Sequence, residues 1–313
     1  MSVSLWCKEE EGQTETGSPG SPGSPGIGGS PLRAQWDPSV SGRRVVQRLL
    51  QAEERYLPSA LYTSLIQREP QRREELAKWT LEVCCDSGCD EAVFPLSVSL
   101  LDLYLSATLA LPVSACCLAA ACVLVASKLT ESEAVTADTL CAAAEYEFMP
   151  SNLREMERIV LATLRWDVAA VTPQDFMPHF LSSLGEQSSG AAASGDLLST
   201  LRRHADTLVA MCVCDSHFLG TPPSLIAAAT VNSALRGLTN QSPAHLGHMT
   251  ACLADLCQTD MVVLQYYSQL IEGALRDRLR GGGRAGGSQS EDKDGGFEDE
   301  RAGTPTDLRD VDL

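Results

Sequence analysis

The residues best suited to chemistry are a histidine–cysteine cluster, His245, His248, Cys252 and Cys257, and a few charged groups set beside apolar runs. His248 and Cys252 stand one helical turn apart, the spacing of a metal-ligand pair on a helix. The full set matches no zinc-finger spacing, and Pro243 to Cys257 makes sense as an amphipathic helix, so no metal is expected. The sequence has no phosphate loop, dinucleotide fingerprint or nucleophile elbow. GGGRAGG at Gly281–Gly287 follows an expected helix instead of opening one, and reads as linker. Kinase catalytic-loop and metal-binding signatures are also missing. No catalytic residue, no cofactor and no enzyme activity are expected.

Asp102 is more informative. It sits among Leu100, Leu101 and Leu103, which implies partial burial at least. It then needs a cation, because an unpaired buried charge is strongly destabilising. Arg73, on the preceding helix, is the first candidate. Lys128 ends an uncharged run at a helix C-terminus, where the dipole favours a cation. Glu157 lies on the next long helix, and on spacing alone Lys128 and Glu157 read as a solvated surface pair.

The element that must organise these groups is the run from Leu103 to Ser127, 25 residues without a charge. Its second half, Pro112 to Lys128, reads as one helix apolar on every side, either a membrane span or the centre of a protein. Pro112 breaks the run, and Ala, Ser and Cys gain little in lipid, so the buried reading is preferred. Small side chains at Ala115, Ala119, Ala120 and Ala121 allow close helix approach. Around it the periodicity predicts helices at about Arg43–Tyr56, Gln71–Cys85, Pro95–Ser106, Ala137–Tyr146 and Ser151–Leu164. Thr172-Pro-Gln-Asp175 is a helix-start signature and marks a boundary after Trp166. The second half echoes the first, with helices expected at about Pro173–Leu184, Asp196–Asp215, Pro222–Leu235, Pro243–Cys257 and Asp260–Arg278. PPSLIAAATVNSAL repeats the Pro-initiated, Ala-rich character of the central helix at domain-scale spacing. No strand pattern is visible. The expected fold is all-α: two consecutive five-helix domains, 36–168 and 169–280, with an N-terminal helix and flexible tails, 1–35 and 281–313.

Net charge is −17 and 44% of residues are hydrophobic, enough for a substantial core. Met1–Ser30 carries −3, Glu291–Leu313 carries −6, and −8 remains over the middle. An acidic body repels phosphate backbones, so nucleic acid is not an expected partner, nor is a membrane. The acidic N-terminus does not look like a signal peptide, which places the 12 cysteines in a reducing compartment, nucleus or cytosol. Most of them, such as Cys116, Cys117, Cys122, Cys141 and Cys212, lie in apolar helical stretches and act as small hydrophobes.

Several segments in order, RRxxxxxWTLEVC, VFPLSVSLLDLYLS, ASKLTE, MERIVLATLRWDVAAVTPQDF, RRHADTLVAMCVCD and PPSLIAA, resemble the D-type cyclins from Trp36 to Arg278, and both tails match as well. The resemblance implies two five-helix cyclin-fold repeats. It also implies a regulatory subunit of a cyclin-dependent kinase, of the G1 type (kinases four and six), directed at retinoblastoma-family proteins in the G1/S transition. Arg73 and Asp102 then match the family's internal ion pair. Lys128 and Glu157 match the two residues that face the kinase, which reverses the surface-pair reading. Leu5, Cys7 and Glu9 fit L-x-C-x-E, the retinoblastoma-pocket motif, and alternate onto one face of an extended chain. Thr304, before Pro305, fits a proline-directed phosphorylation site whose phosphate would label an acidic tail for a ubiquitin ligase. Kinase-inhibitor proteins are further implied partners, and nucleus and cytoplasm the implied locations.

The chain departs from the family in its substrate-docking patch. Leu76, Trp79 and Glu82 are kept, but the family's Met is Arg72, its Ile is Glu75 and its Gln is Cys116. Two charges in an apolar groove predict weakened capture of Arg-x-Leu peptides. The alternatives are therefore a kinase-binding cyclin-like protein with impaired substrate docking, or a transcription-type cyclin-fold adaptor.

Overall fold

A computed structural model describes residues 42–110, 112, 114–187, 194–238 and 242–285. Twelve α-helices and two short 3₁₀ turns make up these residues, with no strand among them. In chain order they are α1 (Arg43–Glu53), α2 (Ala60–Arg68), α3 (Gln71–Asp86), α4 (Val93–Thr108), α5 (Ala115–Thr130), α6 (Ala137–Ala143), α7 (Pro150–Thr163), α8 (Pro173–Gln187), α9 (Ser194–Cys214), α10 (Pro223–Leu238), α11 (Pro243–Leu256) and α12 (Met261–Ala285). Helices α3–α7 form one five-helix repeat and α8–α12 a second, the all-α architecture that the periodicity predicts.

Each repeat is wrapped around its third helix. In α5 every residue from Cys117 to Ser127 is buried, and α3, α4 and α7 pack on it. In α10 every residue from Ser224 to Leu235 is buried beneath α8, α9, α11 and α12. Both helices are rich in Ala, which lets neighbouring axes approach closely and bury polar backbone along with apolar side chains. Inside the second core Asn232 donates to Ser268 at 2.9 Å and accepts from Thr250 at 2.7 Å.

Helix α1 belongs to the second core, not the first. Val46 is fully buried there, with Leu49 and Leu50 packed beside it. Glu53, at its end, accepts from the Ser224 N–H at 2.8 Å and the Ser224 hydroxyl at 2.7 Å, so a side chain 171 residues away caps α10. Burial pushes the Glu53 carboxyl up, and the Ser224 bonds partly offset that.

The helices depart from the sequence reading in several places. Helix α2 is not predicted, because only Tyr62 in it is buried while Leu61 and Leu65 face solvent, leaving no apolar stripe. Its start is set by Ser59, whose hydroxyl accepts from the Tyr62 N–H at 3.3 Å. Helix α5 starts at Ala115 and not at Pro112, since Ser114 supplies the cap, accepting from the Cys117 N–H at 3.1 Å. At the start of α8 the Thr172 hydroxyl does not cap; it donates to Asp175, which also accepts the Thr172 N–H at 2.7 Å. Helix α12 runs through Gly281–Gly283 to Ala285, so the expected linker and tail begin later than 281. Glycine lowers helix propensity by only about 1 kcal/mol per residue, and no proline interrupts the turn.

Candidate functional site

The charged centre of the molecule is built from three helices. Arg73 projects from the inner face of α3 and is 4% exposed; Asp102 projects from α4 and is 5% exposed. Arg73 donates from Nε to Asp102 Oδ1 at 2.9 Å and from Nη2 to Oδ2 at 2.8 Å, a two-pronged bond that only guanidinium can make. Tyr62 of α2 donates its hydroxyl to Asp102 Oδ1 at 2.8 Å. The remaining guanidinium donors reach out of the first repeat: Nη2 to the Val213 carbonyl at 3.0 Å and Nη1 to the Cys214 carbonyl at 3.2 Å. Those carbonyls end α9, where the helix dipole is negative and no intrahelical N–H remains. One cation thus neutralises a buried carboxylate and caps a helix of the second repeat.

Burial alone would pull the Arg73 guanidinium down; the Asp102 charge and hydrogen bonds outweigh it and hold it above its ordinary value. The Tyr62 hydroxyl is pushed up by burial and then by the neighbouring Asp102 charge. Two further bonds tie the repeats together nearby: the Ser216 N–H donates to Glu74 at 3.0 Å, and Arg202 pairs with Glu91 at 2.6 Å. The rigid body that results is what fixes the positions of surface groups on both repeats.

On that body Lys128 and Glu157 stand together. Lys128 lies in the last turn of α5, Glu157 midway along α7, and Nζ–Oε1 is 2.5 Å. Their side chains are 49% and 15% exposed, so the lysine head remains presented to solvent while the carboxylate is partly sheltered. Leu129 next to the lysine, and Met149 and Ile159 on or beside α7, are exposed apolar side chains. Glu157 also borders a shallow depression on α7 of about 440 Å³, shared with Ser151, Arg154 and Arg158. A surface offering an ion pair whose lysine head stays exposed can dock another polypeptide.

The docking-patch residues lie along α3 and at the start of α5. Leu76 is buried, Trp79 and Cys116 are half-buried against the first core, and Glu82, Arg72 and Glu75 are exposed. Arg72 and Leu76 also line a groove of about 430 Å³ between α2, α3 and the end of α4, with Leu65, Ile66 and Leu109. Burial, followed by Glu147, raises the Cys116 thiol. Among the described residues no three His, Cys, Asp or Glu side chains gather as a metal site. Cys257 donates to the Ser224 carbonyl at 3.5 Å, in keeping with a helix-packing role. No described helix is long and apolar enough to cross a membrane. Leu5, Cys7, Glu9 and Thr304 lie outside the described residues. Sequence reasoning missed Tyr62, Glu53 and Glu74, whose partners are all distant along the chain.

Comparison with known proteins agrees with this architecture. Residues 44–169 match the family described as "Cyclin, N-terminal domain" and residues 171–278 the family "Cyclin, C-terminal domain". The chain is 37% identical over 290 residues to mouse G1/S-specific cyclin-D2, covering 90% of this chain and 96% of that one. It is 36% identical to zebrafish G1/S-specific cyclin-D1, covering 90% and 95%. Human G1/S-specific cyclin-D3 is also 36% identical, with 90% and 96% covered. A viral cyclin from herpesvirus saimiri, known from its X-ray structure, aligns with TM-score 0.60 and 26% identity over 75% of this chain and 97% of its own. Two helical repeats pinned by a buried arginine, and relatives along nearly the whole chain, make this protein a member of the cyclin family, of the D type.

Proposed function

We propose that this cyclin is the activating subunit of a G1 cyclin-dependent kinase, of the kind that includes kinases four and six, and is not itself an enzyme. The observation that carries the reading is the Lys128–Glu157 pair, held at 2.5 Å on the surface of a rigid two-repeat body. In the complex both side chains exchange part of their mutual bond for backbone groups near the kinase's regulatory helix. Docking acts by population shift: the face binds the kinase conformation in which that helix turns its glutamate toward the active-site lysine. The energy of that preference comes from the preformed surface, because little ordering remains to be done on the cyclin side.

The rest of the reading concerns the tails. The L-x-C-x-E segment at Leu5, Cys7 and Glu9 brings a retinoblastoma-family pocket protein to the kinase. Thr304, once phosphorylated, presents the tail to a ubiquitin ligase, and kinase-inhibitor proteins compete for the assembled complex. The protein works in nucleus and cytoplasm.

A charge swap tests the docking face. Lys128→Glu with Glu157→Lys keeps an ion pair within the fold but inverts the charges offered to a partner. Purified swap protein should keep the helical content and melting curve of the parent and lose binding to the G1 kinases. Undiminished binding by the swap protein removes both residues from the interface.

A further inference from the structure

Helix α3 ends in a Schellman motif, and its closing residues are cysteines. The Cys89 N–H donates to the Cys84 carbonyl at 3.0 Å and the Gly88 N–H to the Cys85 carbonyl at 3.2 Å. Gly88 takes φ +65°, and nothing lies within 4 Å of where a Cβ would stand, so the backbone turn itself asks for glycine. This closure brings the first and sixth side chains of the motif against each other. Both side chains border the same cavity. Their mutual interaction is the largest influence on both groups. It pushes the Cys84 thiol up, helped by burial, and holds the Cys89 thiol below its ordinary value against burial and the Glu131 charge.

The surroundings complete a reactive centre. Cys84, Cys85 and Cys89 line a cavity of about 290 Å³ that also meets Asp90, Gln174 and Asp206. Cys89 is half-buried at its edge, whereas Cys122, Cys141 and Cys212 are sealed in the cores. Glu131, following α5, accepts the Asp90 N–H on Oε1 at 2.9 Å, while its Oε2 is shielded from solvent and has no hydrogen-bond partner.

We propose that Cys84 and Cys89 are a site of reversible oxidation that closes as an intramolecular disulfide when the protein meets a hydroperoxide. The Cys89 thiolate attacks one peroxide oxygen; the O–O bond breaks, and the departing hydroxide takes a proton to leave as water. Cys89 is then a sulfenic acid. The Cys84 sulfur attacks the Cys89 sulfur while its own proton passes to the departing oxygen; the S–O bond breaks and the hydroxyl leaves with that proton as a second water. Two thiols and one hydrogen peroxide give one disulfide and two waters, with two electrons passing from sulfur to oxygen. A dithiol reductant reverses it. The bond staples the last turn of α3 to the loop feeding α4, and Glu131 relays that loop to the turn of α5 that carries Lys128.

The test uses the full chain treated with hydrogen peroxide, blocked with N-ethylmaleimide, digested and analysed by mass spectrometry. The peptide spanning residues 84–89 should appear two hydrogens lighter and unblocked at Cys84 and Cys89. Cys85→Ser should keep the cross-link and Cys89→Ser should lose it; Cys89→Ala serves as a second variant, with a melting curve to show that each folds. Gly88→Val, which strains the turn, should slow closure several-fold. A Cys84–Cys85 cross-link, a cross-link surviving in Cys89→Ser, or Cys89 carried to the sulfinic acid with no disulfide would overturn the proposal.

Discussion

Removing the Asp102 carboxylate should be among the most damaging single changes in the molecule. Asp102→Leu takes away two charge-assisted bonds from Arg73 and the acceptor for the Tyr62 hydroxyl, all at a site only 4–5% exposed. Arg73 keeps its bonds to the Val213 and Cys214 carbonyls, but its charge is then uncompensated in the interior. Breaking a buried pair in this way costs about 3–5 kcal/mol. Arg73→Met costs a similar amount, since it orphans Asp102 and uncaps two carbonyls at the end of α9. The double variant Arg73→Met/Asp102→Leu removes both charges and should be less damaging than the sum of the singles by at least about 2 kcal/mol. It does not return to the parent, because two carbonyls and the Tyr62 hydroxyl remain unpaired at about 1 kcal/mol or more each. Urea unfolding of the four proteins, followed by far-ultraviolet circular dichroism, closes the cycle. Additive singles, or an Asp102→Leu loss below about 1 kcal/mol, would refute the view that this bond anchors the buried centre from which Arg73 reaches α9.

Three other outcomes follow from the same geometry. Burial pushes the Asp206 carboxyl up to about 6, against opposing bonds from Arg202 and Gln174 and with Glu91 adding to the rise. An acid whose folded pKa exceeds its unfolded value binds a proton on folding, so stability should rise as pH falls from about 7 toward 4. Asp206→Asn should flatten that rise and add about 1–3 kcal/mol at pH 8, read by urea unfolding at several pH values. Glu53→Ala should cost about 1–2 kcal/mol by uncapping α10 and loosening α1, and Glu53→Gln less, because an amide oxygen still accepts the Ser224 N–H; thermal melts rank the two. Arg72→Met with Glu75→Ile should strengthen binding of an Arg-x-Leu peptide by at least about tenfold in calorimetry, by restoring apolar contact along α3.

What could be read from the sequence was whatever had a local cause. The all-round apolar character of α5 and α10 announced two buried centres, and a carboxylate among leucines at Asp102 announced a buried cation before any geometry was known. The tertiary parts were silent. Glu53 sits in a run of charges, RLLQAEER, and looks like an ordinary exposed helix end, yet its partner is Ser224. Tyr62 stands between exposed leucines in a helix without an apolar stripe, so neither α2 nor the third member of the charged centre was visible. That Arg73 also ties down the end of α9 depends on how the repeats meet, which no spacing within one helix encodes. Helix ends went astray where the capping residue lay inside the apparent start, as with Ser114 behind Pro112.

The central claim is that the α5–α7 surface turns a G1 kinase on. The most direct measurement is phosphorylation of a retinoblastoma-type tail by cyclin-dependent kinase four or six, alone, with this chain, and with the Lys128→Glu/Glu157→Lys protein. Activity that rises with the parent chain and stays at the level of the kinase alone with the swapped protein is the predicted result. Equal activation by both proteins, or none by either despite stable binding of the parent, would contradict it.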